Sequence, residues 1–257
     1  MTIDPTAIID SKANVDSDVS IGAYSVIGAN VTIEAGTKIG PHVVINGPTH
    51  IGKGNTIFQF ASIGEVPQDK KFHGEQSKLV IGDNNTIREF VTINRGTEDG
   101  GGTTVIGNSN WLMAYIHIAH DCQVGNNTIF SNGASLAGHA IVDDHAILGG
   151  FTLVHQFCHI GEHAFCGMGS AISKDVPPYI MVNGNPAHPH GINSEGLKRG
   201  GFSKEAIKAI KESYKTIYRL GLTVESARDK LEKIAETQNE VLPLIEFLKD
   251  SQRGIVR

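Results

Sequence analysis

Histidines gather near the middle of the chain, close to an acidic residue and a glycine. His117 and His120 precede Asp121, while His139 and His155 follow further along the chain. The charge of an imidazole changes near neutral pH, so a histidine is well suited to act as a general base there. A neighbouring carboxylate can hold the ring in one tautomer and stabilise the imidazolium that forms. This segment therefore indicates proton-transfer chemistry.

The pairing inside this group is open in the sequence. Asp121 follows His120 directly, but adjacent residues of a strand point to opposite faces, so the carboxylate reaches His120 only across a corner of the fold. The alternative partner is His139. Gly138, just before it, could direct a backbone N–H at a developing oxyanion, or it could simply be a turn glycine.

The chain repeats with a period of six residues, and this repeat predicts the fold. An aliphatic side chain occupies almost every sixth position in two long runs and one short run. These positions are Ile3, Ile9, Val15, Ile21, Ile27, Ile33, Ile39, Ile45, Ile51, Ile57, Ile63, then Ile81, Ile87, Ile93, then Ile106, Leu112, Ile118, Val124, Phe130, Leu136, Val142, Leu148, Val154, Ile160, Cys166 and Ile172. A period of six matches neither an α-helix nor a simple half-buried strand.

Short strands alternating with turns account for this period, and three such units close one triangular coil of eighteen residues. The aliphatic residue points into the prism, and the glycine that often follows it, as at Gly22 and Gly40, is expected to permit the turn at the corner. Residues one coil apart lie above one another. The four histidines and Asp121 therefore collect on one edge of a parallel β-helix, whereas His145 and His163 stack on another.

Residues 1–186 are predicted to form the prism and residues 187–257 a C-terminal α-helical domain that caps its exposed end. Two polar, glycine-bearing segments at about 65–80 and 95–105 escape the repeat and are predicted to project as loops. Apolar residues at helical spacing predict helices that begin near Ser203 and Thr223, with a third over roughly 240–251.

Composition excludes several classes of protein. The 257 residues carry 22 Lys and Arg against 27 Asp and Glu, so nucleic-acid binding is not expected. The N-terminus lacks the pattern of a secretory signal, and no stretch has the apolar length of a membrane span, so we expect a cytoplasmic protein. Cys122, Cys158 and Cys166 lack the spacing of a disulfide framework or a zinc knuckle. We expect no cofactor and no metal.

Several segments are similar to the UDP-N-acetylglucosamine O-acyltransferases, a hexapeptide-repeat acyltransferase family of lipid A biosynthesis. They are AYIHIAHDCQVGN, SLAGHAIVDDHAILGG, VHQFCHIGEH, FASIGEVPQDKKFHGE, REFVTINRGT and INSEGLKRGGFS. The resemblance spans essentially the whole chain and implies a left-handed β-helix that assembles into a homotrimer with active sites between neighbouring prisms. It also implies transfer of an (R)-3-hydroxyacyl group from acyl carrier protein to the 3-hydroxyl of UDP-N-acetylglucosamine.

The resemblance also implies roles for individual residues. His120 would be the general base, Asp121 its orienting partner and the Gly138 N–H the oxyanion donor. The implied substrate-binding residues are Gln68, Asp69, Lys71, His117, His139, His155, Gln156, Asn193, Glu195 and Arg199. The chain departs from the family pattern at Gly200, where a second consecutive arginine is usual. It departs again at Asn94, where histidine is frequent, which suggests that this position is not essential.

Met168 matches the position that measures acyl length in the resembled family. A methionine there fills several methylenes' worth of space, so we expect a donor of about ten carbons rather than about fourteen. Because the carrier is acidic, Lys198, Arg199 and Arg219 are expected to form a basic rim. The alternatives are a CoA-dependent small-acyl transferase, a zinc carbonic anhydrase on the same repeat, or a non-catalytic prism.

Overall fold

The computed structural model describes residues 2–257 and contains a prism of three parallel sheets, followed by helices. Sheet A contains β1 (Thr2–Ile3), β4 (Ser20–Ile21), β7 (Lys38–Ile39), β10 (Thr56–Ile57), β13 (Thr86–Ile87), β16 (Trp111–Leu112), β19 (Ile129–Phe130), β22 (Ile147–Leu148), β25 (Phe165–Cys166), β27 (Ile180–Asn183) and β28 (His188–Ile192). Sheet B contains β2 (Ile8–Ile9), β5 (Val26–Ile27), β8 (Val44–Ile45), β11 (Ser62–Glu65), β14 (Thr92–Asn94), β17 (His117–Ile118), β20 (Ser135–Leu136), β23 (Leu153–Val154) and β26 (Ala171–Ile172). Sheet C contains β3 (Asn14–Val15), β6 (Val31–Ile33), β9 (Thr49–Ile51), β12 (Lys78–Ile81), β15 (Thr103–Ile106), β18 (Gln123–Val124), β21 (Ile141–Val142) and β24 (His159–Ile160).

From β1 to β26 consecutive strands belong to different sheets, so each turn of the chain adds one strand to every sheet. Ile118 pairs with Leu136, and Leu136 pairs with Val154, which is the predicted register. All three side chains are buried. The six-residue repeat therefore predicts these core residues correctly, because the aliphatic position of each unit points inward.

The prism has three edges, which we name by the sheets that meet there. Tyr115 lies on the A/B edge, Asp121 on the B/C edge and Asn127 on the C/A edge, and each has a positive φ near 60°. The sequence interpretation of the glycines was wrong here. Gly22 and Gly40 lack positive φ; instead, a Cβ on Gly22 would lie 2.6 Å from the Pro41 nitrogen. These glycines allow close stacking of coils rather than the turn itself.

The two segments outside the repeat project between strands. The first runs from residue 66 to 77, because β11 extends to Glu65 and β12 begins at Lys78. The second runs from residue 95 to 102 and contains a 3₁₀-helix over Glu98–Gly100. We call them loop 1 and loop 2. Both leave the prism beside sheet B, which carries the histidines.

Four α-helices follow the prism: α1 (Ser194–Arg199), α2 (Lys204–Tyr218), α3 (Val224–Ala235) and α4 (Leu242–Asp250), with a 3₁₀-helix over Asn239–Val241. The predicted starts of α2 and α3 are confirmed, since Ser203 and Thr223 cap them through their side chains. The sequence analysis missed α1 and the antiparallel β27–β28 hairpin. No helix within residues 2–257 is long and apolar enough to cross a membrane.

The last residues of the chain return to the prism. Asp175 forms a parallel bridge with Ile255, and its carboxylate accepts a hydrogen bond of 2.7 Å from the Ser251 hydroxyl. Asp175 is 1% exposed, and Ile255 and Val256 are buried. The C-terminal tail, residues 251–257, is therefore fastened to the end of the β-helix.

Candidate active site

His120 and Asp121 form a hydrogen-bonded pair on the B/C edge. The His120 Nδ1 lies 2.8 Å from the Asp121 Oδ2, whereas the His139 Nε2 lies 3.8 Å from the same oxygen. Asp121 is no longer in a strand, and its left-handed backbone lets the carboxylate turn back across the corner. The structure thus favours His120 over His139 as the partner of Asp121.

Loop 2 encloses the Asp121 carboxylate, whose side chain is fully buried. The Thr97 amide donates to its Oδ1 at 2.8 Å and the Thr97 hydroxyl to its Oδ2 at 2.6 Å. A Cβ on Gly100 would lie 2.2 Å from the Oδ2, so this glycine is needed for the loop to fit. Sequence reasoning missed both roles, because nothing local connects residues 97–100 with position 121.

These bonds determine how the His120 ring is used. Both carboxylate oxygens already accept hydrogen bonds, and an ionised carboxylate only accepts, so the Nδ1 of His120 is the nitrogen that carries the proton. The Nε2 is then an unprotonated acceptor. This is the tautomer that a general base requires.

Gly138 lies against that ring. A Cβ built there would approach the Nε2 of His120 to 2.7 Å and the Cε1 to 2.6 Å. No group within residues 2–257 accepts a hydrogen bond from the Gly138 N–H. Within the same residues the N–H groups of His120 and Gln156 also lack an acceptor, so an unpaired backbone donor is common at this edge. What distinguishes Gly138 is that its open donor lies beside the imidazole.

The surroundings of two further histidines favour the neutral form of the imidazole. Burial lowers the pKa of His117, with His120 adding to the effect, and its Nδ1 lies 2.8 Å from the Thr92 hydroxyl. Burial is also the main reason that the pKa of His139 is lowered, although Asp121 acts in the opposite direction. The His139 ring stacks on Phe157 with centroids 4.4 Å apart. Both rings are thus available as neutral hydrogen-bonding groups.

An open groove of about 390 Å³ lies in front of His120 on sheet B. Its lining comprises Gln68, His117, Ala119, His120, Ser135, Leu136, Ala137, Gly138, Leu153 and Val154. Loop 1 thus brings Gln68 to the groove, and Asp69 is close enough to influence the pKa of His139. Lys71 is exposed on the same loop, where its amide donates to the Asp69 carboxylate.

His155 and Gln156 lie on the B/C edge directly after Leu153 and Val154 of the groove, and both are exposed. His155 is in the outward column that contains Ala119 and Ala137, because each of these residues follows a paired core position. Their placement agrees with the prediction that they lie along the same edge as His120.

Three predicted residues are not on this edge. Asn193, Glu195 and Arg199 lie around α1 near the C/A edge, beside the stacked rings of His145 and His163. Asn193 caps α1 and donates to the His163 carbonyl at 3.0 Å, so its side chain already has structural partners. Burial lowers the pKa of His163 to about 4. A single chain therefore divides the predicted catalytic and substrate-binding residues between two edges.

Met168 lies on the A/B edge and is 77% exposed, so it is not a core residue. A Cβ on Gly150 would lie 4.0 Å from the Met168 Cγ, so these two positions stack one coil apart. Met168 does not line the groove that contains His120 within one chain.

His120, Asp121 and His139 also offer ligand atoms within 4.8 Å of one another, as a metal site would. The hydrogen bonds from Thr97 and His120 nevertheless engage both oxygens of Asp121. This donor set fits a carboxylate that orients an imidazole better than one that coordinates a metal ion.

Comparison with known proteins gives consistent matches. Family models described as "Udp N-acetylglucosamine O-acyltransferase; Domain 2" and "Bacterial transferase hexapeptide (six repeats)" match residues 175–256 and 103–138. The acyl-[acyl-carrier-protein]--UDP-N-acetylglucosamine O-acyltransferase of Thiobacillus denitrificans is 57% identical, over 100% of this chain and 99% of that protein. The same enzyme of Halorhodospira halophila is 57% identical, over 99% of each chain. The crystal structure of UDP-N-acetylglucosamine O-acyltransferase (LpxA) from Moraxella catarrhalis matches with a TM-score of 0.98 at 48% identity, over 100% of both chains.

A left-handed β-helix of hexapeptide repeats, with a histidine–aspartate pair beside an open groove, defines a hexapeptide-repeat acyltransferase. At 57% identity over its full length, the chain belongs to the UDP-N-acetylglucosamine O-acyltransferase family. The fold class, the family and the enzyme class predicted from the sequence are confirmed.

Proposed function

We propose that this protein transfers an (R)-3-hydroxyacyl group from acyl carrier protein to the 3-hydroxyl of UDP-N-acetylglucosamine, the first step of lipid A biosynthesis. Family membership supports the reaction. The observation that carries the mechanism is the 2.8 Å contact between the His120 Nδ1 and the buried Asp121 carboxylate, which accepts a hydrogen bond from the Nδ1–H and leaves the Nε2 free in the groove.

The chemistry is a nucleophilic acyl transfer with one base. The Nε2 of His120 removes the proton from the sugar hydroxyl as its oxygen attacks the thioester carbonyl. The negative charge that develops on the carbonyl oxygen is stabilised by a hydrogen bond from the Gly138 N–H. When the C–S bond breaks, the imidazolium returns its proton to the departing thiolate. Asp121 stabilises the imidazolium throughout and remains ionised.

The division of site residues between two edges supports the proposed homotrimer. Substrate groups on the B/C edge of one copy and the C/A edge of another can act together if sheet B of one prism faces sheet A of the next. Three copies arranged in this way leave sheet C at the outside and bring the A/B edges to a central axis. Met168 would then lie at the inner end of each cleft.

The distribution of apolar side chains agrees with this arrangement. Within residues 2–257, Ile141 is the one exposed large apolar residue on sheet C. The A/B edge carries six: Tyr24, Phe60, Phe90, Tyr115, Phe151 and Met168. Contiguous exposed apolar side chains are typical of surfaces that another protein covers.

The remaining parts of the proposal concern partners and location. Gln68, Asp69 and Lys71 would contact the nucleotide sugar together with Asn193, Glu195 and Arg199 of the neighbouring copy. Lys198, Arg199 and Arg219 would attract the acidic carrier. A cytoplasmic location accords with three cysteines that are all free and buried.

The test is acyl transfer from 3-hydroxyacyl carrier protein to UDP-N-acetylglucosamine, comparing the native protein with His120→Ala. Loss of the general base should lower kcat by about 10²-fold or more, without lowering the melting temperature. His50→Ala is the matched control, because His50 is only half-buried and pairs with Glu34 away from the groove.

Each outcome is informative. Full activity in His120→Ala would show that another histidine of the groove is the general base. An inactive native protein that instead accepts a short acyl group from CoA would replace the proposed function with the small-acyl transferase.

A further inference from the structure

Arg253, in the C-terminal tail, approaches a histidine of the substrate edge from outside the prism. Its Nη2 lies 3.3 Å from the Nδ1 of His155. The tail holds it there, since the Arg253 amide donates to the buried Asp175 at 3.3 Å and the neighbouring Ser251 hydroxyl donates to the same oxygen. A residue from the end of the sequence thus contacts the edge that contains His120.

The Nδ1 of His155 has two neighbours that require opposite protonation states. Besides Arg253, the carbonyl oxygen of Gln156 lies 3.1 Å away. A guanidinium carries donors only, so it needs a bare nitrogen, whereas a carbonyl needs an N–H. Hydrogen bonds from a charged donor are roughly twice as strong as neutral ones. The guanidinium therefore determines the state of this nitrogen.

We propose that Arg253 is a positioning residue that holds His155 in the tautomer with a bare Nδ1 and a proton on Nε2. His155 then presents a hydrogen-bond donor to the substrate cleft, whereas His120, through Asp121, presents an acceptor. The negative Asp121 thus makes His120 a hydrogen-bond acceptor, and the positive Arg253 makes His155 a donor on the same edge. The donor suits a carbonyl or phosphate oxygen of a substrate, and this part of the inference rests on the proposed function.

The decisive measurement needs no substrate. The ¹⁵N chemical shifts of the ring nitrogens in the ¹⁵N-histidine-labelled protein report the tautomer, and the signals of His155 are those missing from His155→Gln. The native protein should show His155 protonated at Nε2. Arg253→Met, which keeps an apolar stem of similar length, should shift the proton to Nδ1, where it bonds to the Gln156 carbonyl.

Two variants separate positioning from simple damage to the tail. Arg253→Lys retains a cationic donor and should keep the native tautomer. Ser251→Ala removes one tail anchor without touching the guanidinium and should also keep it. In the transfer assay, Arg253→Met should raise the KM of one substrate about tenfold while kcat stays within about twofold, as expected for one lost binding hydrogen bond.

A native His155 protonated at Nδ1, or an unchanged tautomer in Arg253→Met, would overturn the inference. An unchanged KM together with the expected change of tautomer would show that His155 is oriented but does not contact substrate, which also contradicts the proposed role. Absence of acyl transfer in the native protein would count against the proposed function and leave the tautomer result standing.

Discussion

At the scale of single residues, the site depends on which nitrogen of each imidazole carries the proton. His120 is chemically like the other eleven histidines of the chain. It differs because a fully buried carboxylate accepts a hydrogen bond from its Nδ1 and because Gly138 leaves space against its ring. Neither condition is visible in the dipeptide His120-Asp121 itself.

Gly138 shows how one hydrogen atom in place of a side chain matters. Even a methyl group there would meet the ring at 2.6 Å, a separation that requires the ring or the backbone to move. The sequence analysis treated this glycine as either an oxyanion donor or a turn residue. Its φ is not positive, so the close approach of the His120 ring is the physical reason for glycine at this position.

Acyl length is a prediction at this same scale. If Met168 limits the cleft, the native protein should use a donor of about ten carbons with the highest kcat/KM, and Met168→Gly should shift the preference towards about fourteen. Rates with donors of each length measure the effect. Met168→Leu keeps the bulk and is the control. Identical acyl-length preferences in the native protein and Met168→Gly would show that Met168 does not determine the acyl length.

At the scale of elements, the two loops are what turn an edge of a repetitive prism into a site. Loop 2 surrounds Asp121, and loop 1 brings Gln68 and Asp69 to the groove. The broken repeat predicted both loops. Their contacts were not predictable, because a loop outside the repeat has no register with the coils on which it packs.

Asn94 illustrates this point, because the sequence analysis considered its position not essential. The residue is 3% exposed, and its amide donates to the Val66 carbonyl at 2.9 Å, which holds the start of loop 1. Arg95 donates to the Gly64 carbonyl in β11, just before the same loop begins. The structure therefore gives Asn94 a defined role as an anchor.

We predict that Asn94→Ala raises the KM for UDP-N-acetylglucosamine about tenfold with little change in kcat, since the loop loses its anchor while His120 is untouched. Steady-state kinetics measure both constants. Asn94→His should retain near-native kinetics, because one ring N–H can replace the amide donor. Equal kinetics in the alanine and histidine variants would show that the loop is held without this bond.

At the scale of the whole molecule, the A/B edge carries a continuous ladder of rings: Tyr24, His42, Phe60, Phe90 and Tyr115. Neighbouring centroids are 4.9–5.4 Å apart with nearly parallel planes. The four aromatic members other than His42 are 42–62% exposed. In the proposed trimer these ladders from three copies would meet around the axis.

Charges on this ladder should dissociate the assembly. We expect Phe60→Lys combined with Tyr115→Lys to convert the proposed trimer into a 27.5 kDa species in analytical ultracentrifugation, because each ring that the trimer would bury contributes about 1.5–3 kcal/mol. Transfer activity should fall with it, as the site needs two edges. Ile141→Lys on sheet C is the control and should remain trimeric. A trimer that survives both ladder substitutions would place another surface at the axis.

The sequence by itself determined the coil, its register and the edge on which the histidines collect. A six-residue period places every sixth side chain inside the prism, independently of the rest of the chain, so residues one coil apart must stack. The starts of α2 and α3 near Ser203 and Thr223 were equally predictable, because the apolar spacing of a helix is local.

Only the tertiary structure decided the choice of His120 over His139 as the partner of Asp121, the enclosure of that carboxylate by Thr97, and the contact of Arg253 with His155. Each depends on side chains that are separated by an irregular segment or by most of the chain. Repetition transmits register over long distances, but it does so only within the repeat. The loops and the tail find their positions through packing, which no spacing along the sequence encodes.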